Sequence, residues 1–149
     1  MTDQPTSTSG PYVQAASFCR SAIEGKDGTL SIIQMLDRIT INAPIDAPEQ
    51  VAAGQHQALT LVVALKSYEA RGRWPLQIVA NRPDGSQMKQ ESVDVIFEGD
   101  ERGVNIVANV LVEVIEGLYW FDIILAGNKL LTRVPLRFSY LRTPGARVG

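Results

Sequence analysis

Residues 117–138 read GLYWFDIILAGNKLLTRVPLRF, two runs of β-forming residues separated by Ala-Gly-Asn. Gly127-Asn128 is typical of a two-residue hairpin turn, because both residues tolerate the positive φ that such turns require. With these two residues at the tip, the runs pair as antiparallel strands. The predicted pairs are Tyr119–Leu136, Trp120–Pro135, Phe121–Val134, Asp122–Arg133, Ile123–Thr132, Ile124–Leu131 and Leu125–Leu130.

The side chains favour this register over its neighbours. A slip of one residue would place Phe121 opposite Arg133 and would separate Arg133 from Asp122, a pair that contributes roughly 0.2–1 kcal/mol. Tyr119 and Phe121 are therefore predicted to face the core. The opposite face of the hairpin then carries Trp120 and its neighbours.

The rest of the chain predicts further strands, not helices. Residues 104–115 fit either a helix or a strand by spacing, but seven of the twelve are Val or Ile, which favours a strand. Residues 30–41 do not alternate, which favours a strand covered on both faces or one with a bulge. The predicted strands before the hairpin cover residues 12–23, 30–41, 57–66, 74–81, 90–97 and 104–115.

Turns and polar segments separate these predicted strands. Residues 44–54 are predicted as a loop, 69–73 as a polar link, and 98–103 as a solvated loop. About eight strands at spacings of roughly ten residues are typical of an antiparallel β-sandwich. We expect one sandwich domain over residues 11–141, with flexible tails at 1–10 and 142–149.

The composition limits the classes of function. With 149 residues, 45% of them hydrophobic, the chain is typical of a single globular domain. A net charge of −2 and a pI near 5.4 argue against nucleic-acid binding, which needs a basic surface. The polar N-terminus and the absence of a long apolar run predict a cytoplasmic protein that does not bind membranes.

One segment resembles a motif of immunoglobulin-like domains. Residues 116–121, EGLYWF, resemble the tyrosine corner, in which a Tyr opens a strand and its hydroxyl bonds back to upstream backbone. Phe121 lies two residues on, where antibody domains carry a cysteine. The resemblance implies an immunoglobulin-like sandwich in which Phe121 fills that core position.

A second resemblance depends on motifs in a fixed order. They resemble those of a family of small bacterial proteins classed as a domain of unknown function, over about residues 12–140. The resemblance implies a β-sandwich of bacterial or phage origin and no catalytic or ligand-binding residues. The motifs are Asp27-Gly28-Thr29-Leu30, Met35-Leu36-Asp37-Arg38-Ile39, Pro83-Asp84-Gly85, Gly103-Val104-Asn105-Ile106, Gly117-Leu118-Tyr119 and Val134-Pro135-Leu136.

The residue types that carry catalysis are sparse, and we expect no enzyme, cofactor or metal site. His56 is the only histidine and is interpreted as a surface residue. Cys19 is the only cysteine and is interpreted as a small buried hydrophobe. One Cys and one His cannot supply the four ligands of a zinc site. The acidic residues of 98–101 match no defined calcium loop, and Arg102 adds an adverse charge.

A surface is the strongest functional candidate. The hairpin face opposite Tyr119 carries six residues that we call the Trp120 surface. Trp is common at binding hot spots, and uncovered apolar patches are uncommon on monomers. The alternative is that neighbouring chain or the 44–55 loop covers this face. We predict a non-catalytic protein-interaction or assembly module that binds a protein partner or a second copy. The alternatives are a small-ligand or carbohydrate site using Trp74, Trp120 or loop residues, and a structural component of a phage or secretion particle. The Trp120 surface comprises Leu118, Trp120, Ile124, Leu131, Arg133 and Arg137.

Overall fold

The computed structural model describes residues 10–88 and 90–144, which contain seven β-strands and no helix. The strands form one hydrogen-bonded sheet in the order β2-β1-β4-β6-β7-β3, with β5 paired to β4. All pairs are antiparallel except β3 with β7, which is parallel. The strands are β1 (Tyr12–Glu24), β2 (Leu30–Leu36), β3 (Arg38–Pro44), β4 (His56–Asn81), β5 (Glu91–Glu113), β6 (Gly117–Leu125) and β7 (Lys129–Thr143).

The two long strands, β4 and β5, fold this sheet into two layers. Residues 60–66 of β4 pair with β1, and residues 76–81 pair with β6. Between these parts the β4–β5 register shifts twice, on either side of Tyr68, whose φ is 51°. Bulges of this kind bend a strand and increase its twist. Both strands therefore turn a corner and contribute to both layers.

The inner faces of the two layers form the hydrophobic core. Phe18 of β1 and Phe121 of β6 pack edge to face, with their ring centroids 4.7 Å apart. Leu59, Leu61, Val63 and Leu65 of β4 belong to this core, whereas Val62 and Ala64 between them are buried on the other face of the strand. The larger residues of this cluster are Phe18, Leu59, Leu61, Leu65, Leu76, Ile78, Phe97, Ile106, Tyr119, Phe121, Ile123, Leu136 and Phe138.

The tyrosine corner is present. Tyr119 is fully buried, and its Oη donates a 2.6 Å hydrogen bond to the carbonyl oxygen of Glu113, six residues upstream. Its ring packs against Phe121 and Phe138. Gly117 precedes it with a φ of 130°, and a Cβ there would lie 2.7 Å from Pro83. The two layers and this corner make the fold an immunoglobulin-like β-sandwich, as predicted.

The valine-rich segment is a strand, which confirms the alternating interpretation. Ile106, Val110 and Val112 are buried in the core, whereas Val107 and Leu111 on the other face are exposed. A helix over this segment would have placed Val107 and Leu111 on its buried face, so the helical alternative is wrong.

Two predicted loops are wrong, because they belong to strands. Residues 69–73 lie within β4, and residues 98–103 lie within β5. Arg71 pairs with Glu98, and Tyr68 pairs with Asp100. Their side chains are polar because they lie at the corner of the sandwich, where the paired backbone is close to solvent.

The predicted strand at 30–41 is two strands that belong to different layers. β2 pairs with β1, whereas β3 pairs with β7, and the chain crosses between layers at Asp37. β2 is mostly exposed, so the interpretation of a strand covered on both faces is wrong. The apolar residues of 30–41 fail to alternate because the chain crosses between layers at Asp37 and because Gln34 has a positive φ of 54°.

The hairpin register is confirmed from Tyr119 to Ile123 and wrong closer to the turn. A bulge between Ile123 and Ile124 places Ile124 opposite Leu130 and Leu125 opposite Lys129. The positive φ values fall at Ala126 (54°) and Gly127 (80°), not at Asn128. The turn is therefore centred one residue earlier than the Gly-Asn motif predicts.

The ends of the domain differ slightly from the prediction. β7 continues to Thr143, and Arg142 donates hydrogen bonds to the carbonyl oxygens of Ile45 and Ala47. The first residues of the predicted C-terminal tail therefore belong to the last strand. The remaining tail residues, 1–9 and 145–149, lie outside the described residues.

Candidate functional site

The Trp120 surface lies on the outer face of the layer that contains β6 and β7. Leu118, Trp120 and Ile124 are half-buried on β6, and Arg133 and Arg137 are exposed on β7. Trp120 pairs with Pro135, and Leu118 pairs with Arg137. The hairpin register thus brings these five predicted residues together on one face.

A polar cluster fixes the centre of this surface. Arg133 Nε donates a 2.7 Å hydrogen bond to Asp122 Oδ1, and its guanidinium carbon lies 4.9 Å from the centroid of the Trp120 ring. Asn81 Nδ2 on β4 lies 3.1 Å from both Asp122 Oδ2 and the Trp120 carbonyl oxygen. The ion pair, the cation–π contact and the amide hydrogen bonds together restrict the rotamers of Trp120 and Arg133. The aromatic and cationic groups are therefore held in place.

One predicted member of the surface, Leu131, is in a different position. It is the extra residue of the β6–β7 bulge, and it packs against the core. Leu130, with 53% of its surface exposed, lies opposite Ile124 in its place. Reasoning from the sequence also missed Asn81, because the pairing of β4 with β6 joins residues about forty positions apart and leaves no local signal.

The 44–54 loop is held at the far end of β7. Tyr140 Oη donates to the carbonyl oxygen of Pro48 at 2.8 Å, and Arg142 binds the carbonyl oxygens of two further loop residues. Tyr140 and Arg142 follow Arg137, the last residue of the Trp120 surface. These hydrogen bonds therefore anchor the loop beyond that surface.

A second candidate site lies at the corner of β4. Tyr12, Tyr68 and Trp74 are each between 36% and 39% exposed, and the rings of Tyr12 and Tyr68 meet edge to face at 5.1 Å. Trp74 Nε1 donates to the carbonyl oxygen of Arg71 at 2.8 Å, which orients the indole. We call the cavity of about 320 Å³ beside Trp74 the corner pocket; it is lined by Gly10, Pro11, Glu69, Ala70, Trp74, Leu125, Ala126, Asn128 and Lys129.

A larger crevice, about 850 Å³, lies beneath the β1–β2 hairpin. The tip of this hairpin reaches over the outer face of the sheet, where Asn105 Nδ2 donates to the carbonyl oxygen of Gly28 at 3.2 Å. Three charged side chains that line this crevice, Asp27, Glu98 and Arg102, have partners within the chain. Arg102 forms an ion pair with Glu98 at 3.1 Å. The Thr29 hydroxyl and amide hold the pKa of Asp27 below its ordinary value.

The residues considered for chemistry lie apart from one another. Cys19 is 1% exposed, and burial raises the pKa of its thiol, which disfavours the reactive thiolate. His56 is exposed, with Nδ1 3.0 Å from the carbonyl oxygen of Gly54. Glu98 and Asp100 face Arg102 and Arg71, respectively. Within residues 10–88 and 90–144, no three potential metal-ligating side chains cluster, and no helix is long and apolar enough to cross a membrane.

Comparison with known proteins yields a structural likeness only. No family model matches the chain, and no curated protein matches it. Among solved structures, it is similar to the crystal structure of an immunoglobulin-like protein from Pseudomonas aeruginosa, with 15% sequence identity and a TM-score of 0.46. The match covers 88% of this chain and 98% of that one.

Proposed function

We propose that this protein is a non-catalytic interaction module that binds a protein partner through the Trp120 surface. The observation that supports this most is the ordered contact of Trp120 with Arg133 and Asp122 on the outer face of the sheet. Side chains that are fixed in advance lose less rotamer entropy on binding. Trp and Arg are, with Tyr, the residues enriched among binding hot spots.

The proposed partner surface carries both apolar and charged groups. Leu118, Ile124 and the Trp120 ring offer apolar area, and Arg133 and Arg137 offer positive charge. A complementary partner would present an apolar anchor bordered by carboxylates. The resemblance noted above supports a role in a bacterial or phage assembly.

The test compares the proteins captured by three immobilised forms of the chain. Trp120→Asp should lose a protein that the wild type retains, because it removes the central aromatic anchor. Ile23→Asp is the matched control, since Ile23 is an exposed apolar residue of β1, away from the β6–β7 hairpin. Identical captured proteins for wild type and Trp120→Asp, with unchanged circular dichroism spectra, would reject the proposal.

A second candidate function, binding of a small ligand or carbohydrate, is favoured by the corner pocket. Trp74 offers an aromatic face on which a sugar ring could stack, and Glu69, Asn128 and Lys129 line the same cavity. Tryptophan fluorescence of the wild type and of Trp74→Phe would be titrated with a panel of sugars and nucleotides. A response in the wild type that is lost in Trp74→Phe would support this function, and a flat response to the whole panel would remove it.

A further inference from the structure

The outer edge of β5 is the longest unpaired strand edge among the described residues. β5 spans 23 residues and pairs with β4 alone. Its other side therefore presents backbone N–H and C=O groups that no described strand satisfies. Such an edge is a template for adding a further strand.

The two halves of this edge differ in their chemistry. Residues 91–102 include six charged side chains, which oppose pairing with another chain. Residues 103–112 read GVNIVANVLV, with no charge and no proline. The register with β4 is unbroken over this second half. The C-terminal half of β5 is therefore regular, rich in β-branched residues and unprotected.

The other two sheet edges carry the protection that this one lacks. β3 is seven residues long, begins at Arg38 and ends at Pro44. β2 is equally short, and the positive φ of Gln34 interrupts its regular geometry. Shortness, charge, proline and irregular backbone are the usual means of preventing edge pairing. The second half of β5 has none of these features, which indicates an edge that pairs with a further strand.

The sequence of this edge is complementary to itself in one register. In an antiparallel pair of identical strands related by a two-fold axis at Asn109, Val107 of each copy lies opposite Leu111 of the other. Asn105 lies opposite Glu113, and Asn109 lies opposite its own copy. Apolar side chains then meet apolar ones, and amides meet an amide or a carboxylate.

Neighbouring registers that keep the same face outward are worse. With the axis at Ala108, Val107 meets Asn109 and Leu111 meets Asn105. With the axis at Val107, Glu101 meets Glu113, a like-charged pair that is destabilising. The two-fold axis at Asn109 is therefore the preferred register.

This register also extends an apolar row that already exists within one copy. On the outer face Val62 pairs with Val107, and Ala58 pairs with Leu111. Val107 is 44% exposed and Leu111 is 59% exposed. Pairing two copies would make a continuous row of Val62, Val107, Leu111 and Ala58 across four strands. Both exposed side chains would lose contact with water.

We propose that the C-terminal half of β5 is a self-association edge, which pairs antiparallel with a second copy of this chain about a two-fold axis at Asn109. The result is a dimer with a continuous sheet across the interface. This surface is separate from the Trp120 surface, so the inference does not depend on the proposed function.

Cysteine cross-linking tests the register directly. Directly opposite residues in an antiparallel pair have Cα atoms about 4.5–5.5 Å apart, within the range that a disulfide spans. Asn109→Cys should therefore form a disulfide-linked dimer on mild oxidation. Val107→Cys alone and Leu111→Cys alone should not, but a mixture of the two should. The wild type is the background control, because Cys19 is buried.

Sedimentation of the wild type and Leu111→Lys tests the association itself. Leu111→Lys should weaken the dimer by about tenfold or more, because two-fold symmetry introduces the buried charge twice. Because Leu111 is exposed in a single copy, the variant should keep the fold, and circular dichroism checks this. Trp120→Asp should leave the dimer unchanged.

Three results would overturn the proposal. One is a wild type that stays monomeric at concentrations approaching about 1 mM, where weak pairs associate; the β5 edge would then be left to an extended segment of a different protein. Another is a dimer in which Asn109→Cys does not cross-link. The last is a dimer that Trp120→Asp dissociates but Leu111→Lys does not, which would assign self-association to the Trp120 surface.

Discussion

At the scale of single residues, Tyr119 links the last third of the chain to the segment before it. Its hydroxyl satisfies the Glu113 carbonyl, and its ring packs between Phe121 and Phe138. The sequence predicts this arrangement because the motif is local, with donor and acceptor six residues apart. The role of Tyr119 therefore separates into a packing part and a hydrogen-bonding part that substitution can measure.

Tyr119→Phe keeps the ring and removes the hydrogen bond. We expect the free energy of unfolding in urea to fall by about 1–3 kcal/mol, because the Glu113 carbonyl loses its partner at a partly buried site. Tyr140→Phe is the matched control, since its hydroxyl also binds a carbonyl, that of Pro48, at an exposed site. It should cost less than about 1 kcal/mol, because water can replace the lost hydroxyl. Equal losses for the two variants would contradict a special role for the corner.

The ionisation of Tyr119 predicts a loss of stability in alkali. Burial, and to a smaller extent the Glu113 carboxylate, raise the pKa of this phenol from 10.0 to about 12. Because the folded state holds the proton more tightly than the unfolded state, the associated stability is complete below pH 10 and is lost as the pH rises towards 12. The phenolate absorbance of the wild type should show a late component that Tyr119→Phe lacks. A titration of identical shape for the two proteins, apart from amplitude, would contradict this.

At the scale of elements, the β6–β7 hairpin shows what strand pairing and turn chemistry each predict. The register from Tyr119 to Ile123 follows from opposite charges and matching apolar residues, and the structure confirms it. The turn does not follow, because Ala126 occupies a positive φ that Ala rarely adopts. The bulge that accompanies the turn also changes the Trp120 surface, because Leu130 lies opposite Ile124 where the sequence predicts Leu131.

This turn can be improved by a single substitution. Ala126→Asn would place Asn-Gly at the two residues of positive φ, the preferred pair for such a turn. We expect the free energy of unfolding to rise by about 0.5–1 kcal/mol, because Asn adopts this conformation more readily than Ala. Asn128→Ala is the control, since Asn128 lies outside the positive-φ pair, and it should change stability little. A larger effect at Asn128 than at Ala126 would contradict this and would support the Gly127-Asn128 turn that the sequence alone predicts.

At the scale of the whole molecule, the sandwich depends on β4 and β5 turning the same corner. Local sequence predicts breaks at 69–73 and 98–103, because polar and glycine residues usually mark loops. The pairing that keeps both segments in strands joins residues as far apart in the chain as Lys66 and Gly103, so periodicity cannot detect it. For the same reason the sequence predicts which residues fill the core but not that the β5 edge remains open.

Gly72 tests how much this corner contributes to the stability of the domain. Its φ is 90°, and a Cβ there would meet nothing within 4 Å, so Gly72→Ala adds backbone strain without a clash. We expect the free energy of unfolding to fall by about 1–2 kcal/mol. Gly103→Ala is the matched control on the partner strand, because its φ is not positive and its closest contact would be 3.4 Å. Since the two layers share β4 and β5, circular dichroism and tryptophan fluorescence should report one coincident transition in both variants, displaced to lower urea for Gly72→Ala. Separate transitions for the two probes would show that the layers unfold independently and that the corner does not couple them.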